Sequence, residues 1–371
     1  MQESDPLRNL QLIQTSNRYY EFFKASHFVI ALLFILFFFF HCDFRLSSWY
    51  AMLIESDWFS IADTCRDYFI AAGALYLFSL FAAQVRTYLM NGVHEATIDM
   101  LPSGLVRVKI PTIISWKPGQ HVFVRFLTLG LHSLTAHPFT ICSIAYDPER
   151  TGKASEIVFL IKPRHGITGR LAKVATKSPG CTKKVLLEGP YGGLSETSLA
   201  QFDRVLIVAG GSGAGFSLAV VEEALQHPAL SRGNLQVVFA TRNPAMAEWY
   251  IDEIETKLST FNASKQTSVS VHITSHDQPT PRDPAEPDKE LPEPHVTSSA
   301  QHGFSVRGQF RPNLPEVVAQ TANGETGKRV GIFVCGPASM LHDTRNAAAK
   351  AQEGVLKGVV EEVFLHTEPF S

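Results

Sequence analysis

A chain of 371 residues is long enough for two or three domains. Its formal net charge of −2 excludes the basic surface that a nucleic-acid binder needs, so no nucleic-acid partner is expected. Five scattered cysteines, at 42, 65, 142, 181 and 335, form no CxxC pair, which excludes a zinc ribbon and a dithiol redox motif.

Residues 1–24 are polar and mixed in charge, with no signal-peptide hydrophobic region, and read as a cytoplasmic segment. Two apolar runs follow, 25–44 and 68–85, each near the roughly 20 residues that a helix needs to cross a bilayer. The stretch between them carries Trp49, Tyr50, Trp58, Phe59 and several acids, as an interfacial loop on the outer side would. Arg8, Arg18, Lys24 and Arg86 lie on the outer flanks of the two runs, which favours the cytoplasm for those flanks. Residues 25–92 therefore read as two transmembrane helices with an outer loop, and all that follows as cytoplasmic. Cys42 and Cys65 flank the loop and are either a disulfide or two unrelated thiols.

His27 and His41 close the ends of the first run. Fourteen residues of helix come to about 40° short of four turns, so the two imidazoles share a face about 21 Å apart along the axis. They either cap the span at its interfaces or bind haem iron, one near each membrane surface. Each haem of the bis-histidine kind needs a second imidazole, and the run 68–85 contains no histidine. Haem ligation by this chain alone is thus incomplete, and a partner would have to supply the missing helices.

From Val93 the pattern changes to short alternating strands: VHEATIDM and LVRVKIP around a Pro102-Ser103-Gly104 turn, then HVFVRF, HPFTICSI, EIVFLIKP and KKVLLEGP. These predict an antiparallel β-barrel over 93–195. His137-Pro138-Phe139-Thr140 forms a rigid strand entry that offers an aromatic ring and a hydroxyl to an isoalloxazine. Gly166 and Thr168 open a helix beside basic residues, a natural site for a diphosphate. A further tight turn, GPYGG, closes the barrel. The cofactor implied is FAD.

RVLIVAGGSGAGFSLAVVEEAL then reads as strand, glycine loop and helix, with Gly210, Gly211 and Gly213 letting a backbone approach a pyrophosphate. The spacing differs from the common G-x-G-x-x-G. The next strand ends in Thr241-Arg242-Asn243, where Arg242 either suits a 2′-phosphate, favouring NADPH, or is a surface arginine. A third parallel strand runs into Cys335-Gly336-Pro337, a turn expected beside the nicotinamide. No histidine constellation accompanies Cys335, so it is read as a residue placed beside the hydride path or as a core thiol. Residues 275–303, rich in proline and acid, read as a disordered insertion in an α/β domain spanning 200–371. A last strand ends near Phe370, the candidate for an aromatic cover over the flavin.

In this order, HPFTICS, the Gly-x-Thr helix entry, GPYGG, VAGGSGAG, GQFRPNLP and the CGP turn resemble the ferredoxin–NADP-reductase-like part of fungal ferric-chelate reductases, relatives of the superoxide-generating NADPH oxidases. The upstream NRYYEFFKASHFVIALLFILFFFFH is similar to the family's later haem-binding helix. The resemblance implies two transmembrane helices, an antiparallel barrel for FAD and a parallel-sheet domain for NADPH, in a plasma-membrane enzyme whose flavin and nucleotide domains face the cytoplasm. It implies His27 and His41 as ligands of haem b, His137 to Thr140 at the flavin, Gly166 and Thr168 at its diphosphate, and Gly210, Gly211 and Gly213 at the NADPH diphosphate. Cys335, Gly336 and Pro337 would flank the nicotinamide. Electrons would pass from NADPH through FAD and haem to extracellular ferric chelates, with cupric chelates as an open alternative acceptor. The family has about six membrane helices and two histidine pairs, so this chain reads as lacking an N-terminal part. The alternatives are an oxidase that makes superoxide, a truncated NADPH diaphorase without transmembrane transfer, and a non-enzymatic partner that docks with haem-bearing helices.

Overall fold

Alternating and continuous apolar runs settle into two kinds of sheet. The computed structural model describes residues 26–27, 29–37, 64–129, 135–146, 155–164, 166–194, 199–227, 235–261, 267–274, 296–297, 304–308, 311–323 and 329–369. The chain divides into two compact units, Met1–Arg86 and Thr87–Ser371.

In the first unit, residues 26–27 and 29–37 are helical. Helix α1 (Thr64–Arg86) contains the second expected span. Among the described residues one helix, Ile70–Leu89, is long and apolar enough to cross a membrane. Leu75, Phe78 and Phe81 stand exposed on it. Among the described residues, this helix turns apolar side chains outward around its circumference. The rest of the first expected span, including His41 and Cys42, lies outside the described residues, and so does any pairing of Cys42 with Cys65.

The second unit begins with a widened helical turn, Thr87–Asn91, whose Asn91 Nδ2 donates to Leu187 O at 2.6 Å. Six antiparallel strands follow: β1 (Val93–Met100), β2 (Val106–Pro111), β3 (His121–Phe126), β4 (His137–Thr140), β5 (Glu156–Ile161) and β6 (Cys181–Tyr191). Their order is β4-β3-β6-β1-β2-β5. Cys142 N donates to Val158 O at 2.8 Å, which joins the chain after β4 to β5 and closes the sheet on itself. In β3 and β5 every second residue is buried, the period that a strand with one face on a core must show. Helix α2 (Ile167–Lys177) packs on the barrel by Ile167, Leu171 and Ala175, spaced by four along one face. Each fully buried Leu or Ile in such a core contributes about 1.5–3 kcal/mol.

The remaining strands make a seven-stranded sheet in the order β10-β11-β9-β8-β7-β12-β13. They are β7 (Arg204–Gly210), β8 (Leu235–Thr241), β9 (Ser268–Ile273), β10 (Val296–Thr297), β11 (Phe304–Gly308), β12 (Arg329–Gly336) and β13 (Glu362–Pro369). All pair in parallel except β10 with β11. Every residue of β7 is buried, as a central parallel strand covered on both faces requires. The covering helices are α3 (Ala214–Leu225), α4 (Pro244–Thr260), α5 (Leu314–Ala322) and α6 (Ala338–Leu356). Strand β10 lies inside the stretch 275–303 that was expected to be an unstructured insertion; the other residues from 275 to 303 lie outside the described ones.

The turn between β1 and β2 reaches across to this sheet. Leu101 and Leu105 belong to the same buried cluster as Leu218, Tyr250 and Phe239, and Asn243 Nδ2 donates to Ser103 O at 3.2 Å. Asn243 also caps α4, its Oδ1 accepting from Ala245 N at 3.1 Å.

Candidate functional site

Where barrel and parallel sheet meet, a cavity of about 460 Å³ opens. That is within the size range of small-molecule sites. The barrel contributes Pro138, Phe139 and Thr140 of β4, His121 of β3, and Cys142. Leu160 of β5 lines it too, the loop after β5 adds Lys162 and Arg164, and the first turn of α2 adds Thr168. The nucleotide sheet contributes Ser212, Phe216, Cys335 and Glu368.

Strand register explains these neighbours. His121 is paired with Thr140 across β3 and β4. Cys335 is paired with Glu368 across β12 and β13, both at the carboxyl ends of parallel strands. Open α/β sheets bind ligands at that edge. Phe139 lies on the barrel core, its ring centroid 5.8 Å from that of Phe159, while His121 packs edge-on against Phe123 at 5.8 Å.

Two buried thiols face the cavity. Burial pushes the Cys142 thiol up to about 12, with a backbone hydrogen bond at Leu160 and the Lys257 charge opposing. Burial also raises Cys335, and the neighbouring Glu368 and Cys142 add to the rise. Both are neutral thiols at pH 7, so neither is a ready nucleophile.

The helix α2 entry has the features of a phosphate site. Gly166 sits at φ +73 with nothing within 4 Å of a Cβ position, and the helix N-terminus has no side-chain cap. Thr168 Oγ1 accepts from Arg164 N at 2.9 Å, which folds Arg164 over the helix start beside Lys162 at the cavity. A helix N-terminus flanked by two cations fits a diphosphate. Pro138, Phe139 and Thr140 line the same cavity and fit a planar ring with a polar edge. His137 is not among the cavity's lining; its Nε2 lies 2.9 Å from Thr135 Oγ1.

The glycine loop carries a packing constraint as well as an opening. A Cβ on Gly213 would fall on the carbonyl oxygen of Cys335, and one on Gly210 would lie 2.9 Å from Pro337 Cδ. These two glycines are what lets the loop lie against the Cys335-Gly336-Pro337 turn. Gly336 is similarly crowded by Met340. Gly211, at φ +54 with nothing within 4 Å, is the one of the three that opens outward. Helix α3 starts at Gly213 without a side-chain cap, so its first amides fit a nucleotide phosphate. Arg242 is exposed just past the end of β8.

His27 is exposed on its helix in the first unit. His41 and Phe370 lie outside the described residues. Among those described, no group of three or more His, Cys, Asp or Glu side chains is placed to hold a metal ion. Residues not singled out from sequence are His121, Cys142, Ser212, Phe216 and Glu368. Glu368 lies level with Cys335 only through the pairing of β12 with β13, which no local signal marks.

Residues 90–195 match the family described as FAD-binding domain, and residues 202–349 the one described as Ferric reductase NAD binding domain. Among curated proteins, the chain is 24% identical to a probable cell surface ferric reductase, kap2, of Aspergillus oryzae, over 95% of this chain and 59% of that protein. It is 26% identical to ferric reductase transmembrane component 6 of Saccharomyces cerevisiae, over 93% of this chain and 45% of that one. The chain thus spans about half the length of the curated relatives it matches. Among solved structures, a ferredoxin NADP+ reductase from Neisseria gonorrhoeae aligns with 74% of this chain and 98% of its own, at 14% identity and a TM-score of 0.46. The match to the FAD-binding domain and the match to the ferric reductase NAD binding domain follow one another along the chain, which is similar to fungal ferric reductases.

Proposed function

We propose that this chain is the NADPH-oxidising, flavin-bearing part of a plasma-membrane ferric-chelate reductase. The observation that carries the reading is the convergence on one cavity of the β4 strand entry, the α2 entry and the Cys335–Glu368 edge of the parallel sheet. FAD, when bound, takes a hydride from the nicotinamide and gives up electrons singly, which a one-electron acceptor such as ferric iron requires.

The residues would divide the work as follows. Pro138, Phe139 and Thr140 hold the flavin ring, with His137 fixing the strand entry. Lys162, Arg164, Gly166 and Thr168 bind its diphosphate. Gly210, Gly211 and Gly213 admit the NADPH diphosphate to the α3 terminus, and Arg242 takes the 2′-phosphate. Cys335, Gly336 and Pro337 hold the nicotinamide at the sheet edge, where Glu368 supplies the carboxyl group. Phe370 would cover the flavin. These soluble parts would face the cytoplasm, tethered by the two apolar helices. His27 and His41 would serve haem b, with the second imidazoles supplied by helices outside this chain. The final acceptor would be an extracellular ferric or cupric chelate.

The test is the full chain, extracted in detergent and supplied with FAD. A flavin spectrum is expected, with NADPH oxidised by ferricyanide faster than NADH. A preparation that holds no flavin and leaves NADPH untouched overturns the proposal. Superoxide release without ferric reduction would shift it to the oxidase reading.

A further inference from the structure

Away from the cavity lining, one buried carboxylate ties the two halves of the second unit together. Glu222 sits on α3, only 7% exposed. Its Oε1 accepts from the Tyr146 hydroxyl and its Oε2 from Lys257 Nζ. Tyr146 belongs to the barrel, in the segment that follows β4. Lys257 is on α4, so three elements meet on one side chain.

Two facts make this more than a chance ion pair. The first is how firmly Tyr146 is held. Its N donates to Ser155 Oγ at 3.0 Å, and the same Oγ donates back to Tyr146 O at 2.8 Å. Ser143, three residues earlier, donates to Glu156 O at 2.8 Å, and its carbonyl accepts from Trp116 Nε1 at 2.8 Å. The second is the position on α3. Gly215 and Glu222 are seven residues apart, about two turns, and so share a face. At Gly215 the helix presses on Cys142, whose sulfur occupies the place of any Cβ. The segment from Cys142 to Tyr146 therefore touches α3 at its first turn through Cys142 and at its third through Tyr146. The same helix begins at the glycine loop, and the same barrel segment continues from Thr140.

We propose, resting on the flavin and nicotinamide reading above, that Glu222 is a positioning residue. Clasped by Tyr146 and Lys257, it fixes the seam between barrel and nucleotide sheet, and with it the distance between the two bound rings. Burial, and then the bond to Glu222, raise the Tyr146 hydroxyl well above its ordinary value, so it remains a donor throughout the working range. A buried hydrogen-bonded carboxylate left without a partner is costly, which gives the clasp its stiffness.

The test uses the full chain and two variants, Tyr146→Phe, which removes one hydroxyl without changing volume, and Lys257→Met, which keeps the stem. Amide hydrogen exchange is followed in the protein without added nucleotide. Exchange in residues 141–146 and 214–222 is expected to rise about fivefold or more while β3 and β5 keep their protection. With NADPH, hydride transfer is expected to slow about tenfold, at unchanged flavin content and NADPH KM, with a larger primary deuterium isotope effect. Unchanged exchange at the seam overturns the proposal. So does a rate that falls only in proportion to lost flavin or lost folded protein. If the parent chain oxidises no NADPH, the functional reading fails, and the exchange measurement still decides the clasp.

Discussion

Gly211 and Gly213 stand two positions apart in one loop, yet each is glycine for its own reason. Gly213 has an αR-type backbone, and only the carbonyl of Cys335 forbids a side chain there. Gly211 has free space but a left-handed backbone, which costs a non-glycine residue about 1 kcal/mol. The motif was readable from the sequence; which glycine touches the Cys335 turn was not, because that contact joins residues 122 positions apart. The same limit applied to Glu368, visible only once β13 is seen beside β12. Arg242 was readable, since its place after β8 follows from local order alone. Its proposed task makes a prediction at this scale. A charge-assisted bond to phosphate is worth about 1.5–3 kcal/mol, or roughly tenfold to a hundredfold in affinity. Arg242→Ala is expected to raise KM for NADPH by that factor and leave KM for NADH within about twofold. Equal effects on both nucleotides, in steady-state kinetics, would remove Arg242 from the 2′-phosphate.

Among elements, the β1–β2 hairpin has the most unexpected place. It is covalently part of the barrel, yet its tip is packed in the core of the parallel sheet through Leu101 and Leu105, with Ser103 buried between them. Local pattern showed the strands and the Pro-Ser-Gly turn, since alternation and turn chemistry are short-range signals. The destination of the tip was hidden, because nothing in a hairpin's own sequence names the surface it meets. Strands β9 and β11 were missed for a related reason. Ser268-Val-Ser-Val is short and half polar, and its parallel neighbour lies beyond the proline-rich stretch, so the pairing has no local mark. Leu105 is 2% exposed, and truncating such a side chain to alanine costs about 2–5 kcal/mol. Because the tip belongs to both halves, Leu105→Ala is expected to lower the denaturation midpoint of barrel and sheet together. Trp116 in the barrel and Trp249 in the sheet cluster are buried and report on each separately. A loss confined to one tryptophan's transition would show that the halves unfold independently and that the tip is not a shared support.

For the whole molecule, the division falls at Arg86–Thr87, between the end of α1 and the turn that Asn91 anchors to the barrel. Everything that lines the cavity lies after that division, as do all three buried hydrophobic clusters. The described residues of the helices before it expose apolar side chains. In a chain that spans about half of its curated relatives, this makes the second unit the self-sufficient part: it has its own core, both expected cofactor entries and the seam between them. A domain with its own core is expected to fold alone. A protein beginning at Thr87 should therefore stay in the aqueous fraction, bind FAD, and reduce ferricyanide from NADPH with kcat and KM within about twofold of the full chain in detergent. The full chain should partition with the membrane under the same conditions, since the described helix before Thr87 exposes apolar side chains. If the shortened protein folds but holds no flavin, the cavity needs the helices for its chemistry and not merely for its address. The electron path would then begin inside the membrane unit, not at the meeting of the two sheets.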